Sequence, residues 1–437
     1  MAIFIVILSL VILILLIAWA KFHPFLAFII VSLLAGWWLG IPVDKLSASL
    51  KTGIGNMLGE LVMIICLGAM LGKLVAETGA AQKISDTLVK LFGQKNLQWA
   101  MMLTGFIVGI PLFYNVGFVL LIPLIFAVIY RTGLPAVATA LPMLAALSVT
   151  HGFLPPHPSP VALSVQLHAN PGIVLLYGII IAIPTILVAG LLFARTLKKI
   201  PSAPLELFRA KDQDAKQLPG AFNSFASALL PALLLMIFTA ITFLSKTHPA
   251  NSGILSFCSD PVIILLFSLL FATASLGIAN SYSLKTIMHF YGDAVKDIAV
   301  ILLIIAGAGA LKQVFVDSGV NASIGAQLSH LSVNPLLLGW FIAAVIRVCL
   351  GSATVAGLTA AGIVAPLIET AHTDANLMVL AVGAGSLMFS HVNDSGFWMF
   401  KEYFNLSVKD TLRSWSIMET IVAVMGLIGV LALNLFL

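Results

Sequence analysis

Long stretches without a single charged side chain alternate along this chain with short clusters of Lys, Arg, Asp and Glu. Residues 1 to 20, 24 to 43, 96 to 130 and 132 to 194 contain no charged residue at all. Roughly 20 consecutive apolar residues cross a bilayer as a helix, so these runs predict membrane spans and multiples of spans. Strands of a closed barrel would alternate in polarity, which these runs do not. In the first half, full spans are expected near residues 2–20, 24–42, 53–76, 134–160 and 172–195.

Two of the runs carry helix breakers at mid-depth. The run from Asn96 to Tyr130 is flanked by Lys95 and Arg131 and is short for two crossings. Its middle holds Gly109, Pro111, Asn115 and Gly117, which predicts a re-entrant hairpin over 98–130 with its tip at 111–117. The run 134–160 contains Ser148 to Pro160, with Pro155, Pro156, Pro158 and Pro160 close together. Each proline removes a donor and fixes φ, so an unwound point in a broken span is expected there.

The pattern then repeats. Leu74-Val75-Ala76-Glu77-Thr78-Gly79, followed by Ile84, echoes Val314-Phe315-Val316-Asp317-Ser318-Gly319, followed by Ile324, and the same spacing links His151 to His391. A second interruption at Gly351 to Gly357 and a second unwound stretch at Phe389 to Gly396 stand where this register requires them. Charge adds orientation. Loop 79–98 carries Lys83, Lys90 and Lys95 while its partner 319–334 has no Lys or Arg. Arg131 has no basic counterpart in 370–376, and loop 161–171 has none of the Lys401, Lys409 and Arg413 of 401–413. Basic loops stay in the cytoplasm, so the second copy is expected upside down. The fold class is therefore an all-α polytopic membrane protein of two inverted-topology repeats, each of about five full spans plus one re-entrant hairpin and a broken helix. Residues 1–195 form the first repeat; 196–224, basic and bracketed by Pro201, Pro204 and Pro219, form a cytoplasmic linker too short for a core of its own. Residues 225–437 form the second repeat, with hairpin 335–369 and broken span 377–400.

Composition agrees. Of the 437 residues, 60% are hydrophobic and 9% charged, with a mean hydropathy of +1.11; a soluble surface needs far more charge. The net charge of +5 sits in loops beside spans, which removes the case for a nucleic-acid partner. Cys66, Cys258 and Cys349 match no metal or redox spacing. Met1 to Ala20 lacks a basic leader and cleavage site, so it is expected to remain as the first span, with both termini on the periplasmic side.

Non-helical backbone survives at membrane depth only where it lines a cavity or packs in protein. Two hairpin tips and two broken helices are thus expected to meet around one site, where half-helix N-termini suit an anion. Candidate substrate contacts are Tyr114 and Asn115 on one tip, Ser352 and Thr354 on the other, and Thr150, His151, Ser390 and Asn393 in the broken spans. Asp394, His391 and His157 are titratable groups placed to carry protons. Arg347, the only formal charge between Ser318 and Ile368, needs a partner: a substrate carboxylate, Glu369 or Asp394. Glu77 and Asp317 read as helix-end turn chemistry. No phosphate loop is present, so drive comes from an ion gradient or downhill flow; no cofactor or metal is expected, and sodium remains open beside protons.

At these residues the chain resembles the gluconate permease family of bacterial organic-anion symporters over nearly its whole length. The match is carried by Gly68 to Lys73 with Thr78-Gly79-Ala80, by the block from Ala145 through Thr150-His151-Gly152-Phe153-Leu154-Pro155-Pro156-His157-Pro158, by Leu350 to Ala356, and by Phe389 to Asp394 followed by Gly396-Phe397-Trp398 and Lys401 to Leu406. The resemblance implies uptake of gluconate or a related sugar acid with protons, a place in the bacterial inner membrane, and commonly a homodimer with a moving transport domain. One departure stands out: that family often has an acid where this chain has Asn115, which would leave coupling to Asp394 and the histidines or change the substrate. Alternatives are a permease for D-serine or another small carboxylate, a passive channel, or an intramembrane hydrolase built on Ser148, Ser390, His151, His391 and Asp394.

Overall fold

A computed structural model of the chain describes residues 2–110, 114–155, 157–209, 218–244, 253–320, 333–370 and 373–436. Pro111, Pro156, Ile324, most of the loop 319–334, part of the turn 370–376 and the linker charges Lys211, Asp212, Asp214 and Lys216 fall outside the described residues, as does the side chain of Glu369.

All regular structure among the described residues is helical. The helices are α1 (Ala2–Ile14), α2 (Pro24–Trp38), α3 (Val43–Glu77), α4 (Ala80–Gly109), α5 (Tyr114–Thr132), α6 (Ala136–Phe153), α7 (Pro158–Gln166), α8 (Pro171–Ile186), α9 (Ala221–Leu244), α10 (Gly253–Cys258), α11 (Pro261–Ala272), α12 (Leu284–Asp317), α13 (Pro335–Leu350), α14 (Ala353–Thr370), α15 (Ala375–Gly385), α16 (Ser395–Tyr403), α17 (Val408–Thr411) and α18 (Ile417–Asn434). Helix starts recur: Val43 and Leu284 are 241 residues apart, Tyr114 and Ala353 are 239, and Pro171 and Val408 are 237. Asn170, Asp260 and Asn334 cap α8, α11 and α13 by accepting from the backbone N–H groups of their first turns, each followed by proline at the first helical position. There the missing N–H costs nothing and φ is already helical.

Eight described helices are long and apolar enough to cross a membrane, fewer than the ten full spans expected. Runs 2–20 and 24–42 give only the shorter apolar helices Phe4–Ile17 and Pro24–Trp38, because α1 opens into a π turn at Leu15–Trp19 and α2 ends before Gly40, whose φ is +87°. The first break is also shorter than expected. The helix persists to Phe153, so Ser148, Thr150 and His151 are helical, and among the described residues the interruption is confined to Leu154, Pro155 and His157 before α7 begins at Pro158. Pro155 pushes the residue before it out of the helical region, and Leu154 is extended at φ −108°; Pro158 and Pro160 lie in the first turn of α7, where proline is tolerated. The second break runs from Ser386 to Asp394.

The centre is built from α5, α6 and α15, almost wholly buried. The long helices α3 and α12 cross in contact at Gly53 and Gly309: a Cβ on Gly53 would stand 2.4 Å from the Gly309 carbonyl oxygen. Only glycine allows so close an approach, the small-residue packing usual between membrane helices. Outer helices turn apolar side chains outward, as Leu176, Ile180 and Ile183 do along α8, each half-exposed or more; lipid is the solvent that tolerates this face.

Side-chain contacts define the two ends. At one, Tyr130 Oη donates to the Pro204 carbonyl at 2.5 Å, Ser202 Oγ to Phe404, and Leu205 N to Tyr403 at 3.0 Å, while Arg131 pairs with Asp86 at 2.6 Å. The start of the 196–224 segment is therefore docked, and its last residues, from Ala221, belong to α9. At the other end, Asn170 N donates to Asn376 Oδ1 at 2.8 Å. Gly79 and Gly319 end the turns after α3 and α12 with φ of +76° and +67°. The paired acids beside them bond within their own helices, Glu77 with Lys73 at 3.5 Å and Asp317 with Gln313 at 2.8 Å.

Candidate substrate site

Gly93, at φ 68° and ψ 158°, splits α4, whose second limb ends at Gly109, and α5 begins at Tyr114. In the second half, α13 ends at Leu350, Gly351 turns at φ +73°, and α14 begins at Ala353. A Cβ at Gly351 would fall 2.1 Å from the Asn393 carbonyl oxygen, so this turn needs glycine both for its left-handed backbone and for its contact with the second break. Ser352 Oγ accepts from Val355 N at 3.5 Å, a weak cap.

The start of α5 and the turn at Gly351 face a cavity of about 480 Å³, within the size range of small-molecule sites. Tyr114, Asn115 and Val116 line it from the start of α5, Gly351 to Thr354 from the turn between α13 and α14, Asn393 to Gly396 from the second break, Ser148 and His151 from α6, and Trp415 and Glu419 from the last span. The first residues of α5, α14 and α16 are all among them. Three helix N-termini, with their free N–H groups and positive dipole ends, thus converge on one volume.

The charges are arranged around Asp394. Arg347 Nη2 donates to its Oδ2 at 2.5 Å, Ser390 Oγ donates to the same oxygen, and Gly396 N donates to Oδ1 at 3.2 Å. Trp415 Nε1 in turn donates to Ser390 Oγ at 2.8 Å, fixing that hydroxyl. The Arg347 side chain is 5% exposed, yet its Nε and Nη1 have no hydrogen-bond partner among the described residues, nor do Tyr114 Oη and Asn393 Oδ1. Across the cavity Glu419, also buried, accepts from Ser148 Oγ at 2.8 Å.

Tyr114, Asn115, His151, Arg347, Ser352, Thr354, Asn393 and Asp394 therefore share the cavity. Thr150, His157, Ser390 and His391 stand behind it. Thr150 Oγ1 donates to Leu147 O at 3.0 Å, and Ser390 orients Asp394. The two histidines do matching work in the two halves. His157 Nε2 bonds the Gly109 carbonyl at 2.8 Å, and His391 Nε2 bonds the Val348 carbonyl at 2.8 Å. A carbonyl only accepts, so each Nε2 carries the proton. Each break thereby satisfies a free carbonyl at the end of the first limb of its hairpin. Asn393 Nδ2 adds bonds to Val348 O at 2.8 Å and Cys349 O at 3.1 Å.

Glu419 was not singled out from the sequence, although a signal existed: it is the only formal charge after Arg413. An isolated charge in an apolar run marks a functional candidate, as Arg347 does. Among the described residues no group of three or more His, Cys, Asp or Glu is placed to hold a metal ion.

The model of the GntP family permeases matches residues 1–436. A high-affinity gluconate transporter of Escherichia coli (strain K12) is 47% identical over 437 residues, covering 100% of both chains. The Gnt-II system L-idonate transporter of the same strain is 46% identical, covering 95% of this chain and 94% of its own. The gluconate permease of Bacillus subtilis (strain 168) is 44% identical, covering 100% of both.

Proposed function

The chain belongs to the GntP permease family, and on that footing we propose that it imports gluconate or a related sugar acid together with protons, by alternating access, across the bacterial inner membrane. The observation that carries the reading is the convergence of three helix N-termini and the Arg347 guanidinium on one cavity. Such a site suits a carboxylate. The carboxamide of Asn115, the hydroxyls of Ser352 and Thr354, and the Asn393 side chain offer donors and acceptors for a polyhydroxylated chain. Relatives that carry gluconate and L-idonate cover nearly the whole length. Asp394 serves as the fixed counter-ion of Arg347, and His157 and His391 brace the hairpin turns.

Two further observations support alternating access in an inverted repeat. The Arg131 turn lies at the same end as loop 401–407, whereas their repeat partners, 370–376 and 161–171, meet at the other end through Asn170 and Asn376. Equivalent loops at opposite ends are what inversion requires. The cavity continues past Glu60 of α3 and Lys312 of α12 to Asp260 at the start of α11. The far end of α11 leads to Tyr282, whose Oη donates to Glu77 O at the base of α3, so the mouth lies opposite the basic, linker-bearing end. With basic loops inside, this arrangement is open outward. The same reading includes a homodimer, to be checked by light scattering of the purified protein.

Uptake of labelled gluconate into proteoliposomes tests the function. Accumulation driven by an acidic exterior, abolished by a protonophore and competed by L-idonate, is expected. Transport that runs only on a sodium gradient, or that D-serine competes and gluconate does not, would overturn the reading.

A further inference from the structure

The cavity contains two buried carboxyl groups in different circumstances. Asp394 is held by Arg347, by the Ser390 hydroxyl and by the Gly396 N–H. To protonate it would break an ion pair and leave the guanidinium, already short of partners, with an uncompensated buried charge. Glu419 is 2% exposed, lines the same cavity, and makes one side-chain hydrogen bond among the described residues, from Ser148 Oγ. It has no ion pair there. Binding a proton at Glu419 breaks no pair and removes an unpaired charge from a buried position.

We propose that Glu419 is the residue that carries the coupled proton, while Asp394 stays ionised against Arg347. This rests on the proton-symport reading above. The proton arrives from water through the open mouth, bonds to a carboxylate oxygen of Glu419 as a sugar-acid anion enters beside Arg347, and leaves to water on the other side when the anion does. The charge count favours the pairing: with the Arg347–Asp394 pair neutral overall, an ionised Glu419 repels an incoming anion, and a protonated one does not. The titratable and charged groups facing Glu419 from the packed elements are His151 of α6, Arg347 of α13, Asp394 of the second break and Tyr114 of α5. Helices α8 and α15, which also pack on α18, bring no Asp, Glu, Lys, Arg or His, and Arg413, in the turn before α18, is exposed.

The test measures two quantities in proteoliposomes of the full chain: gluconate exchange at equal pH, which needs no net proton movement, and accumulation under an inward gradient of one pH unit. For one proton per solute that gradient supports about tenfold accumulation. E419Q is expected to lower exchange modestly and to abolish accumulation, so that their ratio falls to about one tenth, with the gluconate-induced acidification of a luminal dye lost. D394N should depress both quantities together. Wild-type accumulation without any response to the pH gradient would overturn the symport reading itself, and this inference with it. A pH-driven wild type with an E419Q variant that accumulates equally would overturn only the role of Glu419. Should E419Q fail to fold, S148A retains the acid and removes its one donor. The pH of half-maximal accumulation is then expected to rise by about half a unit, a threefold fall in the proton concentration required, and an unmoved profile would equally overturn the assignment.

Discussion

Replacing Arg347 and Asp394 singly and together gives the sharpest measure of how the site is held. The pair is 2.5 Å apart, with side chains 5% and 14% exposed, so neither partner is well solvated when the other is removed. Arg347→Met leaves the Asp394 carboxylate with the Ser390 hydroxyl and the Gly396 N–H only, and removal of one member of a buried pair costs about 3–5 kcal/mol. Asp394→Asn keeps an oxygen that accepts from Nη2 but leaves the guanidinium charge unbalanced, at a cost on the order of 2–3 kcal/mol. The double variant contains neither charge and can pack as a neutral contact, so its loss should be smaller than the sum by about 2 kcal/mol or more. Thermal unfolding of the detergent-solubilised proteins, with gluconate binding in parallel, measures both sides of the cycle. Stability should recover in the double variant while gluconate binding does not, because the cation that faces the anion is gone. Losses that simply add would refute the pairing as the organising contact, and restored binding in the double variant would refute Arg347 as an anion contact.

The other expectations are simpler. His157→Ala and His391→Ala each strip a carbonyl of its partner and should cost about 1–3 kcal/mol in thermal stability while leaving the pH dependence of accumulation in place; a variant of full stability that has lost its pH response would make that histidine a proton carrier. Ser352→Ala and Thr354→Ala should each weaken gluconate affinity about fivefold, for a lost hydrogen bond of about 1 kcal/mol, and unchanged affinity in both would move the site. Gly351→Ala meets both a left-handed backbone and the Asn393 carbonyl at 2.1 Å; a loss of transport with protein still inserted is expected, and wild-type uptake would show the turn to be adaptable.

Much of this was legible in the sequence because membrane depth makes polar interruptions informative. Gly351 and the prolines after Leu154 marked the irregular segments, since few residues tolerate such backbone and none hides it in lipid. What could not be read was the extent of each interruption: Pro158 and Pro160 look like breakers but begin a helix, and Thr150 and His151 remain inside the preceding one. Nor was the division of labour visible. Ser390 and Asn393 are three residues apart in one segment, yet one stands behind Asp394 and the other lines the cavity. That depends on Trp415, 25 residues onward, and on the carbonyls of α13. Glu419 lacks a counterpart in the first copy, so the duplicated pattern, which marks residues that come in pairs, does not point to it.

The two histidine braces bear on how a new specificity could arise in this scaffold. Each grips a main-chain oxygen, at Gly109 and at Val348, and a main-chain oxygen is present whatever side chain stands there. Substrate-facing positions such as Asn115, Ser352 and Thr354 can therefore change identity without disturbing the frame that aims them, while the histidines cannot. Drift in what is recognised is thus decoupled from the integrity of the fold, and a library confined to those three positions would explore new sugar acids from an undisturbed starting geometry.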